Sequence, residues 1–424
     1  MQRTPLCSLL LLVLLLAPLR SAPQPLCNVL SAPFLAAGDN ATDDTLALQR
    51  ALSSPACGTV LLPAPGLFLS RSLDLVNASN KHLVIAPGAA LVTWRQRATW
   101  GGRTALLYMS SNASALQNFE LSGGGAFLGG GANWWPPASQ PNKHLAFRPH
   151  TLLLPLVRNF SMHDLGITDS PGCNIEVNGE DVRFARVAIV AAGGVCAQFS
   201  VAPNTGGFRL SGARILVEDS TVHSGDDCVP INPSPAGLTE DVLVRNVSCA
   251  CGTNGPVVFS PGGTVRNVTF DSIRVRSTFQ GAGIKVATNS GPGSAPLGGL
   301  VEDVTFSNID IQDPLYYALY TSVFHEDLPG GVCAAPRPLP PGAGAGWLTA
   351  RNIRFVNVSA RVPSGQGAGC FVCAPGASVC TGYAFENVSV ARSDGRGPAG
   401  AYGCVYFRNA SEAGSAPVPC GTGA

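Results

Sequence analysis

Short runs of apolar residues recur along the chain in one spacing: apolar, any, apolar, any, any, apolar, any, apolar. Side chains of a strand alternate between its two faces, so each apolar pair points one way. The extra residue between the pairs indicates a bend that returns the next pair to the same core, which makes each unit two short strands around a corner. Full matches start at Phe160, Val182, Val242, Val268, Val304 and Tyr383, and weaker ones at Ile215 and Ile353.

The spacing between these units decides the architecture. Successive units start 22, 33, 27, 26, 36, 49 and 30 residues apart, which is the range typical of stacked coils. A propeller would show a steadier period, and a leucine-rich solenoid would show its Leu/Asn signature. We therefore predict an all-β fold, a single-stranded right-handed parallel β-helix.

The same architecture explains the length of the chain. About 400 residues exceed the roughly 250–300 that one globular core usually serves, yet no linker or change of composition divides the sequence. The core of a solenoid lengthens without thickening, so residues 23–424 are predicted to form one domain. Near its start, Thr42-Asp43-Asp44-Thr45 offers helix-capping side chains, and Leu48, Ala51 and Leu52 form an apolar stripe. A short helix here is expected to cover the open end of the solenoid.

Residues 1–22 are interpreted as a signal peptide. Arg3 precedes the apolar run from Leu9 to Leu16, and Arg20-Ser21-Ala22 provides a cleavage site with small residues. The run is shorter than the roughly 20 apolar residues that span a membrane. We therefore expect a protein that is secreted to the extracellular space or the cell wall and that has no membrane partner.

Glycosylation acceptors and cysteines agree with secretion. Asn-x-Ser/Thr acceptors occur at Asn40, Asn77, Asn112, Asn159, Asn246, Asn267, Asn357, Asn387 and Asn409. The chain has 14 cysteines, and removal of Cys7 with the signal leaves an odd number, so disulfides with at least one unpaired thiol are expected. Candidate pairs are Cys228 with Cys249 or Cys251, and Cys370, Cys373 and Cys380 among themselves.

Charge and motif content exclude several functions. The net charge is +1 and 12% of the residues are charged, so no basic stripe favours nucleic acid or an anionic membrane. The cysteines and the histidines His163 and His223 show no zinc spacing, and no glycine-rich phosphate loop follows a strand. The sequence predicts no metal, no nucleotide and no other cofactor.

A series of short motifs resembles one known family. In order they are Gly38-Asp39-Asn40-Ala41-Thr42-Asp43-Asp44-Thr45, Gly58-Thr59-Val60-Leu61-Leu62-Pro63, Gly123-Gly124-Gly125-Ala126-Phe127-Leu128-Gly129, Trp134-Trp135, Arg148-Pro149, Asp169-Ser170-Pro171, Asn204-Thr205-Gly206-Gly207, Gly225-Asp226-Asp227-Cys228 and Gly283-Ile284-Lys285. Each is weak alone, but their order and spacing are specific. From roughly residue 35 to 320 the chain resembles glycoside hydrolase family 28, the polygalacturonases, within the pectin-active β-helix proteins, and coils 330–424 are divergent.

The resemblance implies an inverting hydrolase of α-linked galacturonan, with three aspartates, a histidine and an Arg-x-Lys pair in a cleft. Two of the aspartates are present as Asp226 and Asp227, and the lysine is Lys285. Gly206 stands where the family has the third aspartate. Asn254 replaces the histidine and Gly283 the arginine.

The resemblance makes Asp226 the general acid and Asp227 the general base. Positions 226, 227 and 254 lie 11 or 12 residues into successive coils, so these groups are expected to share one face, with Lys285 a further coil along. Neighbouring carboxylates reach a useful separation only at a turn, and the close charges keep a proton on one of them. A plain turn with solvated acids is the alternative interpretation.

The predicted substrate-binding residues are Lys285, Asn254, Asn204 and Arg209. A lysine cation suits a uronate carboxylate, although a solvated surface lysine is the alternative. Asn254 can bind a sugar hydroxyl or simply form a turn. Arg209 either supplies the missing positive charge or faces solvent. Of Trp134 and Trp135, one is expected to stack on a sugar and the other to pack at the edge of the core.

The sequence therefore favours a secreted, monomeric glycosidase acting on pectic or related uronate-containing polysaccharide. Gly206, Asn254 and Gly283 leave a second hypothesis open, a catalytically impaired β-helix protein that binds wall polysaccharide. A polysaccharide lyase on the same fold is the third, but it needs a Ca²⁺-binding acid cluster or an arginine base that these motifs do not supply.

Overall fold

The protein was analysed as a computed structural model. It describes residues 25–101, 104–110, 114–135, 147–192, 196, 201–260, 262–286, 298–322, 348–373, 380–407 and 410–419. The predicted signal peptide therefore lies outside the described residues, as do the acceptors Asn112 and Asn409. Among the described residues no helix has the length and apolarity needed to cross a membrane.

The described chain consists of strands and one α-helix. The helix is α1, Thr45–Ser53, and short 3₁₀ turns lie at Arg97–Thr99 and Gly131–Asn133. The strands of the first part are β1 Leu26–Asn28, β2 Asp39–Asp43, β3 Thr59–Leu62, β4 Leu67–Ser70, β5 Leu73–Asp74, β6 His82–Ile85, β7 Ala90–Thr93, β8 Ala105–Tyr108, β9 Leu116–Ser122, β10 Ala126–Leu128, β11 His150–Thr168, β12 Ile175–Val190 and β13 Phe208–His223. Those of the second part are β14 Val229–Ile231, β15 Leu238–Ala250, β16 Pro256–Ser260, β17 Gly263–Arg276, β18 Gln280–Val286, β19 Gly299–Gln312, β20 Tyr317–Ser322, β21 Leu348–Val362, β22 Gly369–Val372, β23 Cys380–Thr381, β24 Ala384–Arg392, β25 Gly403–Val405 and β26 Ser411–Ala413.

Successive coils stack in parallel and in register, which confirms the predicted parallel β-helix. The long strands β11, β12, β13, β15, β17, β19, β21 and β24 form one stack, in which Val242 pairs with Ile215 on one side and Val268 on the other. The short strands β14, β16, β18, β20, β22 and β25 form a second stack. The second stack continues the starts of β12 and β13, since Leu210 pairs with Ile231. Equivalent positions therefore form rows along the solenoid.

Each long strand bends where the repeat has its extra residue. The second of the two middle residues has left-handed backbone (φ 50° to 58°) in every unit: Asp164, Arg186, Asp219, Asn246, Ser272, Asn308, Asn357 and Asn387. A second left-handed bend comes directly before most units, for example at Asn267 and Asp303. The sequence predicted one corner per unit, so the second bend is a correction. Asn and Asp recur at both bends because their short polar side chains tolerate this conformation.

The interior is a continuous row of apolar side chains. One cluster of buried residues runs from Val29 to Phe407. Within it the third position of the repeat stacks ring on ring: Phe270 and Phe306 lie 5.1 Å apart, Phe306 and Phe355 5.0 Å, and Phe355 and Phe385 5.3 Å, all nearly parallel. These separations are close to the strand spacing of about 4.8 Å, so the repeat itself sets the packing of the core.

Helix α1 packs on the first coils as predicted, with Leu48, Ala51 and Leu52 buried. Of the predicted capping side chains, Asp43 acts at the helix start, since its Oδ1 accepts the backbone N–H of Thr45 at 3.1 Å. Asp44 stands at the cap but forms no capping hydrogen bond; instead its carboxylate accepts the backbone N–H groups of Ala37 and Gly38. The side chain therefore fixes the preceding loop rather than the helix.

Disulfides lie along the solenoid. The predicted bridge after the acid pair is confirmed as Cys228–Cys249, and Cys373–Cys380 comes from the predicted C-terminal group. Sequence reasoning did not identify the Cys27–Cys57 and Cys196–Cys251 bridges. Cys370 and Cys404 are disulfide-bonded as well, whereas Cys173 is a buried free thiol.

Candidate active site

The two aspartates lie where the short stack begins. Asp226 and Asp227 occupy the turn between β13 and β14, and the next coil places Thr253 and Asn254 beside them, before β16. Backbone pairing aligns these two coils at this point, because the N–H of Cys228 donates to the carbonyl of Asn254 at 2.9 Å. A turn frees two adjacent carboxylates from pointing in opposite directions, so both face the same neighbours.

Asp227 is buried, with 7% of its surface exposed, and is surrounded by donors. Its Oδ1 accepts from Thr253 Oγ1 and Asn254 Nδ2, each at 2.5 Å. The Nζ of Lys285, from β18, lies 2.9 Å from Oδ2 and 3.1 Å from Oδ1. Lys285 also lies over the ring of Phe259, 5.0 Å from its centroid. The structure therefore places Lys285 against the carboxylate, not in solvent.

Asp226 is more open and shares a partner with Asp227. Its Oδ1 lies 2.9 Å from Thr253 Oγ1 and accepts the backbone N–H of Asp227 at 2.9 Å. The two Oδ1 atoms are at most about 5.4 Å apart, because contacts of 2.9 and 2.5 Å to one hydroxyl join them. The Thr253 hydroxyl has one proton and donates to one oxygen at a time. Both of its contacts with the carboxyls are hydrogen bonds only when one carboxyl carries a proton and donates it to the hydroxyl.

The environments of the two carboxyls shift their pKa values in opposite directions. Burial, and then the charge of Asp227, raises the pKa of Asp226 above its ordinary value. Burial alone would raise the pKa of Asp227 too, but Lys285, Thr253 and Asn254 stabilise its charge and lower the pKa below the ordinary value. One carboxyl is thus prepared to hold a proton and the other to stay ionised, the division that acid–base catalysis requires.

Two further residues of this network were missed by the sequence reasoning. Thr253 joins the carboxyls, and the hydroxyl of Tyr320 donates to Asn254 Oδ1 at 2.6 Å. Tyr320 is 2% exposed and fixes the amide so that its NH₂ group faces Asp227. Tyr320 pairs with Gly283 of the preceding coil, so the paired strands, rather than a motif in the sequence, place it here.

The two glycines that replace charged residues differ in the room around them. A Cβ atom on Gly206 would meet ordinary contacts, 3.4 Å from the Asp227 carbonyl and 3.8 Å from Cys173 Sγ. On Gly283 it would lie 2.0 Å from the carbonyl of Tyr320 and 2.8 Å from its ring. The first position has space for an acid, whereas the second is closed by the neighbouring strand.

The N-terminal side of the acid pair carries arginines. Asn204 Nδ2 lies 3.5 Å from Asp226 Oδ2, and Asn204 Oδ1 accepts from Arg148 at 3.2 Å. Arg148 also donates to the carbonyls of Pro171 and Pro203, so the loops hold it in place. Arg209 is half-exposed and lies 3.6 Å from the carboxylate of Glu176. Asn204 thus joins the acid group, and Arg209 lies one coil before it.

The two tryptophans lie apart from this network. Trp134 is 1% exposed and packs edge-on against Trp100, with ring centroids 5.7 Å apart. Trp135 is partly exposed and donates its indole N–H to the carbonyl of Ser170 at 3.2 Å. Trp134 is therefore the core-edge residue of the pair, and the partly exposed ring is that of Trp135.

Comparisons with known proteins agree on one family. The model described as "Glycosyl hydrolases family 28" matches residues 93–408, which extends beyond residue 320, where the recognisable motifs end. A probable polygalacturonase of Arabidopsis thaliana is 24% identical over 91% of this chain and 82% of its own. Endo-xylogalacturonan hydrolase A of Aspergillus tubingensis is 27% identical over 69% of this chain and 70% of its own. The crystal structure of the endo-xylogalacturonan hydrolase from that fungus superposes with a TM-score of 0.68 at 19% identity, covering 94% of this chain and 100% of the other.

Proposed function

Because the chain belongs to glycosyl hydrolase family 28, we propose that it hydrolyses glycosidic bonds of a pectic, uronate-containing polysaccharide with Asp226 as general acid and Asp227 as general base. The observation that carries the proposal is the unequal surroundings of the two carboxyls: Lys285, Thr253 and Asn254 contact Asp227 and lower its pKa, whereas burial and the charge of Asp227 raise the pKa of Asp226. Asp226 keeps a proton for the leaving oxygen, and Asp227 stays ionised to receive one from water.

The separation of the carboxyls constrains the water. Inverting glycosidases hold their two carboxyl groups ~6.5–9.5 Å apart so that water fits between substrate and base. The Oδ1 atoms of Asp226 and Asp227 lie at most about 5.4 Å apart, which is closer than this and near the ~5–5.5 Å typical of retaining enzymes. Inversion of configuration therefore needs additional room for water, and we assign that room to the open side at Gly206. An inverting mechanism therefore predicts that the first product formed has the opposite anomeric configuration to the substrate, which NMR of the fresh hydrolysate measures.

Substrate binding is assigned to the residues around the pair. Arg209 and Asn204 lie on the N-terminal side, where a half-exposed guanidinium suits a uronate carboxylate. Lys285 has a double role, because its ion pair with Asp227 keeps the base ionised while its charge favours acidic sugars. Lys285→Ala should therefore weaken binding of acidic chains and also raise the pKa of Asp227.

The protein is expected to act as a monomer outside the cell, at the cell wall. The disulfides along the solenoid, including Cys228–Cys249, support an oxidising compartment. The cleavable signal at residues 1–22 and the use of the Asn-x-Ser/Thr acceptors belong to the same proposal. Sequencing the N-terminus of secreted protein tests the signal, since mature chains should begin near residue 23.

The decisive experiment measures new reducing ends. Secreted protein is incubated with homogalacturonan, xylogalacturonan and a neutral glucan, and the double variant Asp226→Asn, Asp227→Asn is the matched control. We expect the wild type to release new reducing ends from at least one uronan and none from the glucan. The double variant should release none from any of the polymers. Equal release by both proteins would exclude this acid–base pair.

The alternative is a β-helix that binds wall polysaccharide without cutting it. Gly206, Asn254 and Gly283 favour it, since they stand where the family resemblance implies an aspartate, a histidine and an arginine. A wild type that binds uronan, depends on Lys285 for that binding and releases no reducing ends would establish this function. A lyase is less well supported, because the matching family model is one of hydrolases.

A further inference from the structure

A second group of reactive side chains lies two to three coils to the N-terminal side of the acid pair. His150, Cys173 and Glu176 offer a ring nitrogen, a thiol sulfur and a carboxylate oxygen that all lie within 4.8 Å of one another. Cys173 and His150 belong to successive coils, since the backbone N–H of Thr151 donates to the carbonyl of Cys173 at 3.2 Å. The spacing along the chain does not show a zinc motif because the solenoid, rather than a short loop, brings the ligands together.

These atoms are poorly satisfied by the protein itself. Nδ1 of His150 is shielded from solvent and makes no hydrogen bond with the residues that the structure describes; a carboxylate oxygen of Glu176 lies 3.4 Å away. Cys173 is 5% exposed and forms no disulfide. Its S–H group donates to the carbonyls of Ile175 and Gly206, each at the long distance of 3.6 Å. A buried ring nitrogen without a hydrogen bond, beside a buried thiol that has only long hydrogen bonds and is outside the disulfides of the described residues, indicates a missing partner.

We propose that His150, Cys173 and Glu176 form a binding site for a borderline-soft divalent cation, with Zn²⁺ as the preferred ion. Zinc binds thiolate, imidazole and carboxylate together, whereas Mg²⁺ and Ca²⁺ favour oxygen ligands alone. Three protein ligands leave a fourth tetrahedral position for water. The site lies beside Gly206, whose Cβ position is 3.8 Å from Cys173 Sγ, so the cation would border the space next to Asp226.

The geometry requires a small closure. Metal–ligand distances of about 2.0–2.3 Å place tetrahedral ligand atoms about 3.3–3.8 Å apart. His150 Nδ1 and Glu176 Oε2 already meet that distance at 3.4 Å, and the widest pair has to close by about 1 Å. Arg209 opposes binding, because its guanidinium lies 3.6 Å from the same carboxylate oxygen. Zinc and Arg209 therefore compete for Glu176. Substitution of Arg209 is thus expected to strengthen zinc binding, whereas substitution of a ligand weakens it.

The test titrates full-length folded protein, treated with chelator and dialysed, with Zn²⁺ in competition with a chromophoric chelator. We expect one site in the wild type and affinity at least about tenfold weaker in Cys173→Ser and Glu176→Gln. Arg209→Gln should bind more tightly than the wild type, because Glu176 is then free. The matched control is His163→Gln, which changes a histidine that contacts Glu120 and Asp164 on another row and should leave affinity unchanged.

A second readout separates lost binding from lost folding. Co²⁺ in place of zinc should give the intense near-ultraviolet band of a thiolate–cobalt bond in wild type and Arg209→Gln, but not in Cys173→Ser, while circular dichroism shows all three folded. Absence of a one-to-one site in the wild type would overturn the proposal. Undiminished affinity in folded Cys173→Ser, or loss of affinity in His163→Gln, would overturn it as well.

Discussion

The bends of the long strands differ from the acid face, which is the start of the short stack around Asp226 and Asp227. The two regions differ in whether the same type of residue repeats from one coil to the next. At the bends, like residues follow one another and satisfy each other: Asn387 donates to Asn357 at 3.1 Å, and Asn357 donates to Asn308 at 3.2 Å. On the acid face the residue changes at every level, from Cys173 to Gly206, Asp227 and Asn254. Repetition stabilises the solenoid, and the interruption of repetition produces a site.

Charge shows the same contrast. On the long stack Glu218 is held by Arg183 and by Arg245, one on each side, with Arg183 Nη2–Glu218 Oε1 at 2.6 Å. These three charges are thus paired across neighbouring coils. On the acid face Lys285 pairs with Asp227, and the Thr253 hydroxyl contacts both carboxyls. Burial and the charge of Asp227 raise the pKa of Asp226, whereas Lys285, Thr253 and Asn254 lower that of Asp227. An unequal number of partners is what shifts the pKa values apart.

The largest effect is expected for the acid pair. Asp226→Asn keeps the shape of the side chain but has no proton of the right acidity to give, and Asp227→Asn cannot accept one. Each should lower kcat by about 10²–10⁴ while leaving polymer binding nearly intact. Initial rates on the best uronan and binding by calorimetry measure this. A variant with near wild-type kcat would remove that residue from the mechanism.

The next largest effect is an expected gain of activity from a substitution at Gly206, the glycine that has free space around it. Gly206→Asp places a carboxylate in space bordered by Asp227 and Cys173, where it can orient water, and should raise kcat by about tenfold or more. Gly206→Asn has the same shape without the charge and should not. Gly207→Asp is the steric control, because its Cβ would lie 2.4 Å from the carbonyl of Cys228; it should destabilise the fold. Equal rates for the Asp and Asn variants would show that water is not positioned from here.

A smaller effect concerns pH. Activity requires protonated Asp226 and ionised Asp227, so it should fall as pH drops through the lowered pKa of Asp227 and as pH rises through the raised pKa of Asp226. Tyr320→Phe frees the amide of Asn254 to turn its oxygen towards Asp227. The pKa of Asp227 then rises, and the acid limb of the kcat/KM profile should move to higher pH by a fraction of a unit to one unit, equivalent to at most about 1.4 kcal/mol. Phe279→Leu, in the same region but outside the network, should leave the profile unchanged.

The sequence predicted the features that depend on repetition. Apolar spacing predicted the parallel stack, and the turn after β13 predicted that Asp226 and Asp227 share a face. The second bend was missed because left-handed positions accept several residue types, including Arg214. A short apolar pattern has no signal for a conformation that is defined by φ alone.

Contacts between coils were the least predictable. Thr253 and Tyr320 join the acid network through side-chain geometry across levels, and no local motif marks them. The bridge from Cys196 to Cys251 spans 55 residues, and cysteine counting leaves such pairings open. The insertions between units vary in length, so the register of distant residues follows only once the strands are paired.

The smallest effect tests the repetitive side of the comparison. Asn246 has φ 50° and donates to Asp219 at 2.6 Å. Asn246→Ala loses that bond and strains the bend, so it should lower the free energy of unfolding by about 1–2 kcal/mol without changing kcat. Asn246→Gly should lose less, because glycine adopts this backbone without strain. Ser248→Ala removes the glycosylation acceptor but keeps Asn246, which separates any effect of a glycan from that of the bend. Chemical denaturation measures stability. Unequal kcat values among these variants would mean that the bends of the long strands are coupled to the acid face. Equal stability of all three variants and the wild type would mean that the stacked Asn and Asp side chains at the bends do not hold the coils together.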